Sequence, residues 1–237
     1  MAVLDKKQCA DCPSKDMGIF CGLTFQEAME VSSTTHTLKF KRGQSIFSQG
    51  NSPEGIYCIQ SGNIKLTKTG QDGKETIIRI VTHGDVIGHR SLFTAQEFHG
   101  TATALDDVVV CFIDRNHVLK LINDKPSIAL ELINKLSRDM GVAEERSSSF
   151  HQKNVRERIA QLILELSDSH GVDLGNGEVQ INLKLTREEM ATMIGTANET
   201  LIRIISEYRK DGLIDQNGKL IVIKDRKELQ KRADGVH

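Results

Sequence analysis

The sequence predicts an α+β chain: a small all-β roll, a long helix, and a helix-turn-helix unit followed by a β-hairpin. Three observations carry this. From about Leu38 to Asp114, short β-branched runs alternate with glycine turns. From Pro126 to Phe150, apolar residues recur in steps of three and four. From Thr186 to Lys210, two helical patterns flank a glycine. With 38% hydrophobic and 27% charged residues, the 237-residue chain has apolar mass for a core. The net charge of -1, from 31 basic and 32 acidic residues, argues against a histone-like protein or a generally basic nucleic-acid binder. No apolar run approaches the ~20 residues of a membrane span. The N-terminus, MAVLDKKQCADC, has no apolar h-region. The expected compartment is the cytoplasm, with no membrane partner.

Four segments are expected: a cysteine-rich stretch over 1–23, the roll over 24–125, the long helix over 126–150 and the helix-turn-helix unit over 151–237. In the first, Cys9, Cys12 and Cys21 follow C-x2-C-x8-C. Five cysteines, an odd number, speak against a disulfide framework. Closely spaced thiolates instead suit a soft metal or an iron–sulfur cluster, zinc, or a thiol switch. Cys111 stands in the apolar run Val108-Val-Val-Cys-Phe-Ile, where a buried hydrophobe is the plain reading. Cys58 is read as core.

In the roll, Gly55-Ile-Tyr-Cys-Ile-Gln, Ile64-Lys-Leu-Thr-Lys, Thr76-Ile-Ile-Arg-Ile-Val and the run around Cys111 are strands, with turns such as Gly70-Gln-Asp-Gly and His83-Gly-Asp between them. In the long helix, Ile133, Leu136, Met140, Ala143, Ser147 and Phe150 fall on one stripe. Either the helix packs on its own roll, or two copies pair along this seam. The length and the charges beside the seam (Lys135, Arg138, Asp139, Glu144, Glu145) favour pairing. A serine run at Ser147 marks the expected domain boundary.

Beyond it, Val155 to Ser167 reads as an amphipathic helix, Gly171 to Gly177 as a loop, and the tail from Asp225 as a fraying end. Thr186 followed by Glu189 is a capping box for a helix that stops at Gly195. The next helix, from about Ala197 to Lys210, has Leu201, Ile204, Ile205 and Tyr208 on one side and Glu199, Arg203, Ser206 and Lys210 on the other. Gly218 turns a hairpin into the strand Leu220-Ile-Val-Ile. The polar side of the second helix carries base-reading chemistry: Arg donates to guanine O6 and N7, and Glu accepts from cytosine N4. Ile202 lies where an apolar side chain meets a thymine methyl. Thr186, Arg187 and Thr196 stand at helix N-termini, where phosphates are held. The plain alternative is a solvated i,i+4 Glu–Arg pair. Six basic residues balance six acidic ones from Thr186 to Lys224, so attraction to DNA must come from placement or from dimerisation.

The segment LTREEMATMIGTANETLIR, with Gly212-Leu-Ile and Asn217-Gly-Lys after it, resembles the winged helix-turn-helix of the CRP/FNR transcription regulators. Lys41-Arg-Gly-Gln-Ser-Ile-Phe-Ser-Gln-Gly, Tyr57-Cys-Ile-Gln-Ser-Gly and His83-Gly-Asp-Val-Ile-Gly resemble that family's cyclic-nucleotide-binding-type β-roll. The resemblance runs from about Thr24 to Val222. It implies a homodimer joined by the long helix, bound to a two-fold symmetric site on double-stranded DNA, with RNA polymerase as a further partner. By this resemblance Glu199, Thr200 and Arg203 read a TGA-containing half-site. Asn198 stands where cAMP-responsive members carry Arg.

In those members a Glu and, ten residues on, an Arg-Ser pair hold the nucleotide. Here His89, followed by Arg90, and His99-Gly100 occupy those places, so neither charged anchor is present. By resemblance to the FNR-type branch, Cys9, Cys12, Cys21 and Cys111 hold a [4Fe–4S] cluster that responds to oxygen, nitric oxide or redox state. The eight residues between Cys12 and Cys21 are a longer gap than in the best-known oxygen sensor. That sensor also carries an aspartate in its dimer seam where this chain has Ala143. Zinc, a thiol switch or no cofactor are the alternatives at the cysteines, and a small organic ligand touching His89, Arg90 and His99 is the alternative signal. A dithiol oxidoreductase would need a thioredoxin-like βαβ context, which the sequence lacks, so no enzymatic activity is expected.

Overall fold

A computed structural model describes residues 18–20 and 23–236. The chain divides into two compact units between Gly141 and Val142. The first opens with α1 (Phe25–Ser33), capped by Thr24 in a capping box with Glu27. Eight strands follow: β1 (His36–Phe40), β2 (Ser45–Phe47), β3 (Gly55–Ser61), β4 (Ile64–Thr69), β5 (Glu75–Val81), β6 (Val86–Ile87), β7 (Thr101–Ala104) and β8 (Val108–Asp114). A short helix α2 (His89–Thr94) lies between β6 and β7, and α3 (Arg115–Asp124) and α4 (Pro126–Gln152) follow β8.

The strands form two antiparallel sheets, in the orders β1-β8-β3-β6 and β2-β7-β4-β5. Residues alternate between the faces of a strand, and both faces of the first sheet are apolar. Ile59, Val108 and Val110 pack inward against Ile64, Val81, Ala102 and Ala104 of the second sheet. Ile56 and Ile113 point the other way, into a cluster with Val31 of α1, Val118 of α3, and Ile128 and Leu132 of α4. This second cluster also takes in Ile19 and Phe20.

The long helix is therefore two-faced, and the sequence assigned part of it to the wrong side. Lys135 and Asp139, expected beside the seam in solvent, lie toward the roll. Lys135 is only 7% exposed. Its Nζ lies 2.9 Å from Asp85 and 2.7 Å from Asp139, and Arg79 reaches Asp139 at 2.5 Å. On the opposite stripe Ile133 (56%) and Met140 (61%) are exposed, with Leu136, Ala143, Ser147 and Phe150 exposed beside them. The serine run lies inside α4, where buried Ser149 donates to Gln161 Oε1 at 3.1 Å.

In the second unit, α5 (Val155–His170) is followed by β9 (Gly171–Gly175), β10 (Glu178–Ile181), α6 (Arg187–Ile194), α7 (Asn198–Lys210), β11 (Ile214–Asn217), β12 (Leu220–Ile223) and α8 (Arg226–Ala233). The strands form one sheet, β11-β12-β10-β9. Two expectations fail here. Gly171 to Gly177 is a hairpin arm: Gly175, Asn176 and Gly177 all take positive φ, making the tight turn that Asn-Gly sequences favour. The tail does not fray. Asp225 caps α8 by accepting from Glu228 N–H, and Leu229 and Ala233, one turn apart, are buried. They pack the helix on α5.

Candidate nucleic-acid interface and sensor residues

Local chemistry sets both helices of the helix-turn-helix. Thr186 Oγ accepts from Glu189 N–H at 3.1 Å, and the Glu189 carboxylate accepts from Thr186 N–H at 2.9 Å. A cap of this kind contributes about 1 kcal/mol. α6 ends at Gly195, whose φ of +63° is left-handed, a conformation that costs an L-residue with a Cβ about 1–2 kcal/mol. A Cβ there would also come within 2.9 Å of the Phe150 ring. Arg158 braces this corner. Its Nε donates to Ile194 C=O at 3.2 Å, its Nη1 to Lys153 C=O at 2.8 Å, and its guanidinium sits 5.1 Å from the Phe150 ring centre. Phe150, expected in the seam between copies, thus spends one side of its ring on the turn.

In α7 the phase matches the sequence reading. Leu201, Ile204, Ile205 and Tyr208 are buried, and Asn198, Glu199, Ile202, Arg203, Ser206 and Lys210 are exposed. Tyr208 donates its hydroxyl to Arg156 C=O at 2.8 Å. Burial pushes its pKa up to about 12. Thr200 and Thr196 are half-buried, and Ala197 at the N-cap offers no side-chain acceptor.

Arg203 does pair at i,i+4, but forward rather than back. Its Nη1 lies 2.8 Å from Glu207, while Glu199 makes no ion pair among the described residues. Glu207 is shared with Arg156 of α5, and the two guanidinium groups, Arg156 first, hold its carboxyl below the ordinary glutamate range. Sequence reasoning missed both partners. Glu207 was legible from its spacing, whereas Arg156, fifty-one residues away, was not. Arg187 is half-buried, donates to Met190 Sδ at 3.6 Å, and has its pKa lowered by burial and by the charge of Arg209. Thr186 is exposed, but its hydroxyl is engaged by Glu189.

Among the sensor residues, Cys9, Cys12 and Cys21 lie outside the described residues. Cys111 sits in the central strand β8, half-buried, directly opposite Cys58 of β3. It shares a strand face with Ile113, two residues on, and Cys58, like Phe20, packs against the cluster that contains Ile56 and Ile113. No group of three or more metal-ligating side chains occurs among the described residues. The three histidine and arginine candidates differ in burial and in partners. His89 is 7% exposed, with Nε2 3.9 Å from Asp139. Burial lowers its pKa to about 4, against the pull of Asp139. Arg90 and His99 are exposed, and His99 pairs with Gln96 at 2.9 Å. No helix among the described residues is long and apolar enough to cross a membrane.

Two families match the two units in turn. Residues 37–125 match the cyclic nucleotide-binding domain and residues 157–232 the Crp-like helix-turn-helix domain. The chain is 27% identical over 216 residues to the CRP-like cAMP-activated global transcriptional regulator of Mycobacterium tuberculosis, covering 91% of this chain and 96% of that one. It is 29% identical over 229 residues to Electron transport regulator A of Shewanella oneidensis, covering 95% and 90%. Among solved structures, a CRP/FNR-family transcriptional regulator of Thermus thermophilus superposes with a TM-score of 0.68 at 27% identity, covering 84% of this chain and 98% of that one. A roll, a two-faced helix and a winged helix-turn-helix, matched in this order along nearly the whole chain, identify it as a DNA-binding transcription regulator of the CRP/FNR family.

Proposed function

We propose that the chain works as a homodimer on a palindromic site, with α7 of each copy in the major groove. Glu199, Thr200 and Arg203 read base edges there, Asn198 and Ile202 border them, and Thr186, Arg187 and Thr196 hold phosphates. RNA polymerase is the partner on promoter DNA, and the cytoplasm is the working compartment. The observation that carries this is the division of α7: four apolar side chains buried and an unbroken polar arc, with Ile202 beside it, exposed. The exposed stripe Ile133, Leu136, Met140, Ala143 and Ser147 supports pairing along α4. Glu207, shared with Arg156, pairs with Arg203 in the DNA-free chain, and a base edge takes its place in the complex.

For the signal, we infer a [4Fe–4S] cluster held by Cys9, Cys12, Cys21 and Cys111. The fit is supported on the sheet side. Cys111 stands on the face against which Ile19 and Phe20 pack, and Phe20 immediately precedes Cys21. When bound, such a cluster supplies chemistry that oxygen or nitric oxide can alter. The chain's own part is to present four thiolates. The second reading, a cyclic nucleotide in the roll, draws on the family match over residues 37–125. Against it, His89 is buried against Asp139 and His99 is exposed on Gln96, so neither supplies the anchoring charges.

Binding of full-length protein to a labelled palindrome with TGA half-sites tests the DNA reading. Arg203→Ala removes one base contact in each copy of the dimer, so it is expected to weaken binding by about 30-fold or more and to lose discrimination at the guanine it contacts. Unchanged affinity in an Arg203→Ala, Glu199→Ala pair refutes it. Anaerobically purified protein is expected to be brown and to lose its colour with Cys111→Ala. Colourless protein refutes the cluster.

A further inference from the structure

We propose that Cys58 and Cys111 are a redox-modification site, closing to a reversible cross-strand disulfide by exchange with a small disulfide such as glutathione disulfide. The two residues are direct partners on antiparallel strands, within a run of regular register from Gly55↔Asp114 to Ile59↔Val110. The backbone ladder fixes which kind of pair they are. Arg115 N–H donates to Glu54 C=O at 2.9 Å, so even-numbered residues of β3 aim their polar groups at β8. Ile59 faces the other way: it donates to Asp85 C=O at 2.9 Å and accepts from Gly84 N–H at 3.0 Å. Cys58 and Cys111 are therefore a hydrogen-bonded pair, with Cα atoms about 5.5 Å apart. That lies inside the range of roughly 4.4–6.8 Å that a disulfide spans.

Both side chains emerge on the same face, and both residues are half-buried. Closure needs no strand to move by a residue. It does need the Cβ atoms to draw together, because directly opposed residues hold them about 4.5–5.5 Å apart and a disulfide wants about 3.5–4.5 Å. The resulting bond is strained and easily reduced, which suits a switch better than a structural staple.

The exchange balances. One protein thiolate attacks glutathione disulfide, whose S–S bond breaks to give a mixed disulfide and one glutathione thiolate. The second protein thiolate attacks the protein-side sulfur and expels the other glutathione. Two protein thiols lose two electrons, one glutathione disulfide gains them, and the two thiol protons end on two glutathione molecules. This inference does not need the cluster. Cys111 serves in both, so a cluster held through Cys111 and the disulfide exclude one another.

The test uses the full-length chain and a variant with Cys9→Ser, Cys12→Ser and Cys21→Ser, each equilibrated in glutathione buffers of stepped redox ratio, acid-quenched, alkylated and digested with trypsin. The tryptic peptides 43–65 and 91–115 carry the two cysteines separately. A linked pair of these peptides in more than half the chains at the oxidising end, released by dithiothreitol and absent in Cys58→Ser, is the expected result. Cysteines that both remain alkylatable in oxidised buffer, or that carry only glutathione adducts, overturn the proposal. A link from Cys111 to an N-terminal cysteine in its place overturns it too. Colour reports separately: colourless anaerobic protein that still forms the 58–111 link retires the cluster and leaves this proposal standing.

Discussion

His89 makes the stability of the first unit depend on pH in a window where ordinary carboxylates are silent. The ring is buried beside Asp139, Lys135 and Arg79, and burial, only partly offset by Asp139, lowers its pKa from 6.5 to about 4. The unfolded chain takes up a proton near pH 6.5 that the folded chain refuses until about pH 4. Stability is therefore full above pH 6.5 and falls as pH drops toward 4. The whole gap is worth about 3 kcal/mol, and about 2 kcal/mol of it is lost between pH 7 and pH 5. Asp139, whose carboxyl Arg79 and Lys135 hold below its ordinary range despite burial, loses its share only at lower pH. The chain has no tryptophan and two tyrosines. Tyr57 lies in the first unit, so a Tyr208→Phe background leaves it as the fluorescent reporter for urea unfolding at each pH. His89→Leu removes the titrating ring and is expected to flatten the slope between pH 7 and pH 5, whatever it does to absolute stability. An unchanged slope refutes a buried neutral His89.

Gly195 and Gly212 both take positive φ, at +63° and +74°, but only Gly195 is crowded, by Phe150. Each Gly→Ala change is expected to cost about 1–2 kcal/mol in urea unfolding, with a surplus at Gly195 that disappears in a Phe150→Ala background. Equal costs in both backgrounds would show that the ring gives way freely. Sedimentation of apo protein at micromolar concentration is expected to show a dimer, since Ala143 puts no charge in the seam. Ile133→Glu with Met140→Glu should yield monomer, by removing two side chains each worth about 1.5–3 kcal/mol when buried. Glu207→Gln frees Arg203 from its ion pair in each copy and is expected to tighten DNA binding roughly two- to five-fold at low salt, by the size of two exposed i,i+4 pairs; weaker binding would mean that Glu207 orients Arg203 productively.

What the sequence determined was local. The capping box at Thr186, the stop at Gly195, the phase of α7 and the hairpin at Gly218 depend on residues within one or two turns of each other, and all stand where the spacing put them. The Asn176-Gly177 turn and the Asp225 cap are local signals of the same kind, and the chain follows them where the surrounding glycines and charges point to a loop and a fraying tail. The tertiary structure decided everything that depends on which distant element lies across the way. A helical stripe reads identically whether it meets a sheet or solvent, so Lys135 and Asp139 look like surface flanks until Asp85 and Arg79 are brought to them. Arg156 reaches Glu207 only because α5 packs beside α7. Cys58 meets Cys111 only because the register of β3 on β8 is set by which faces must bury Ile56 and Ile113, and a slip of one residue would part the two thiols.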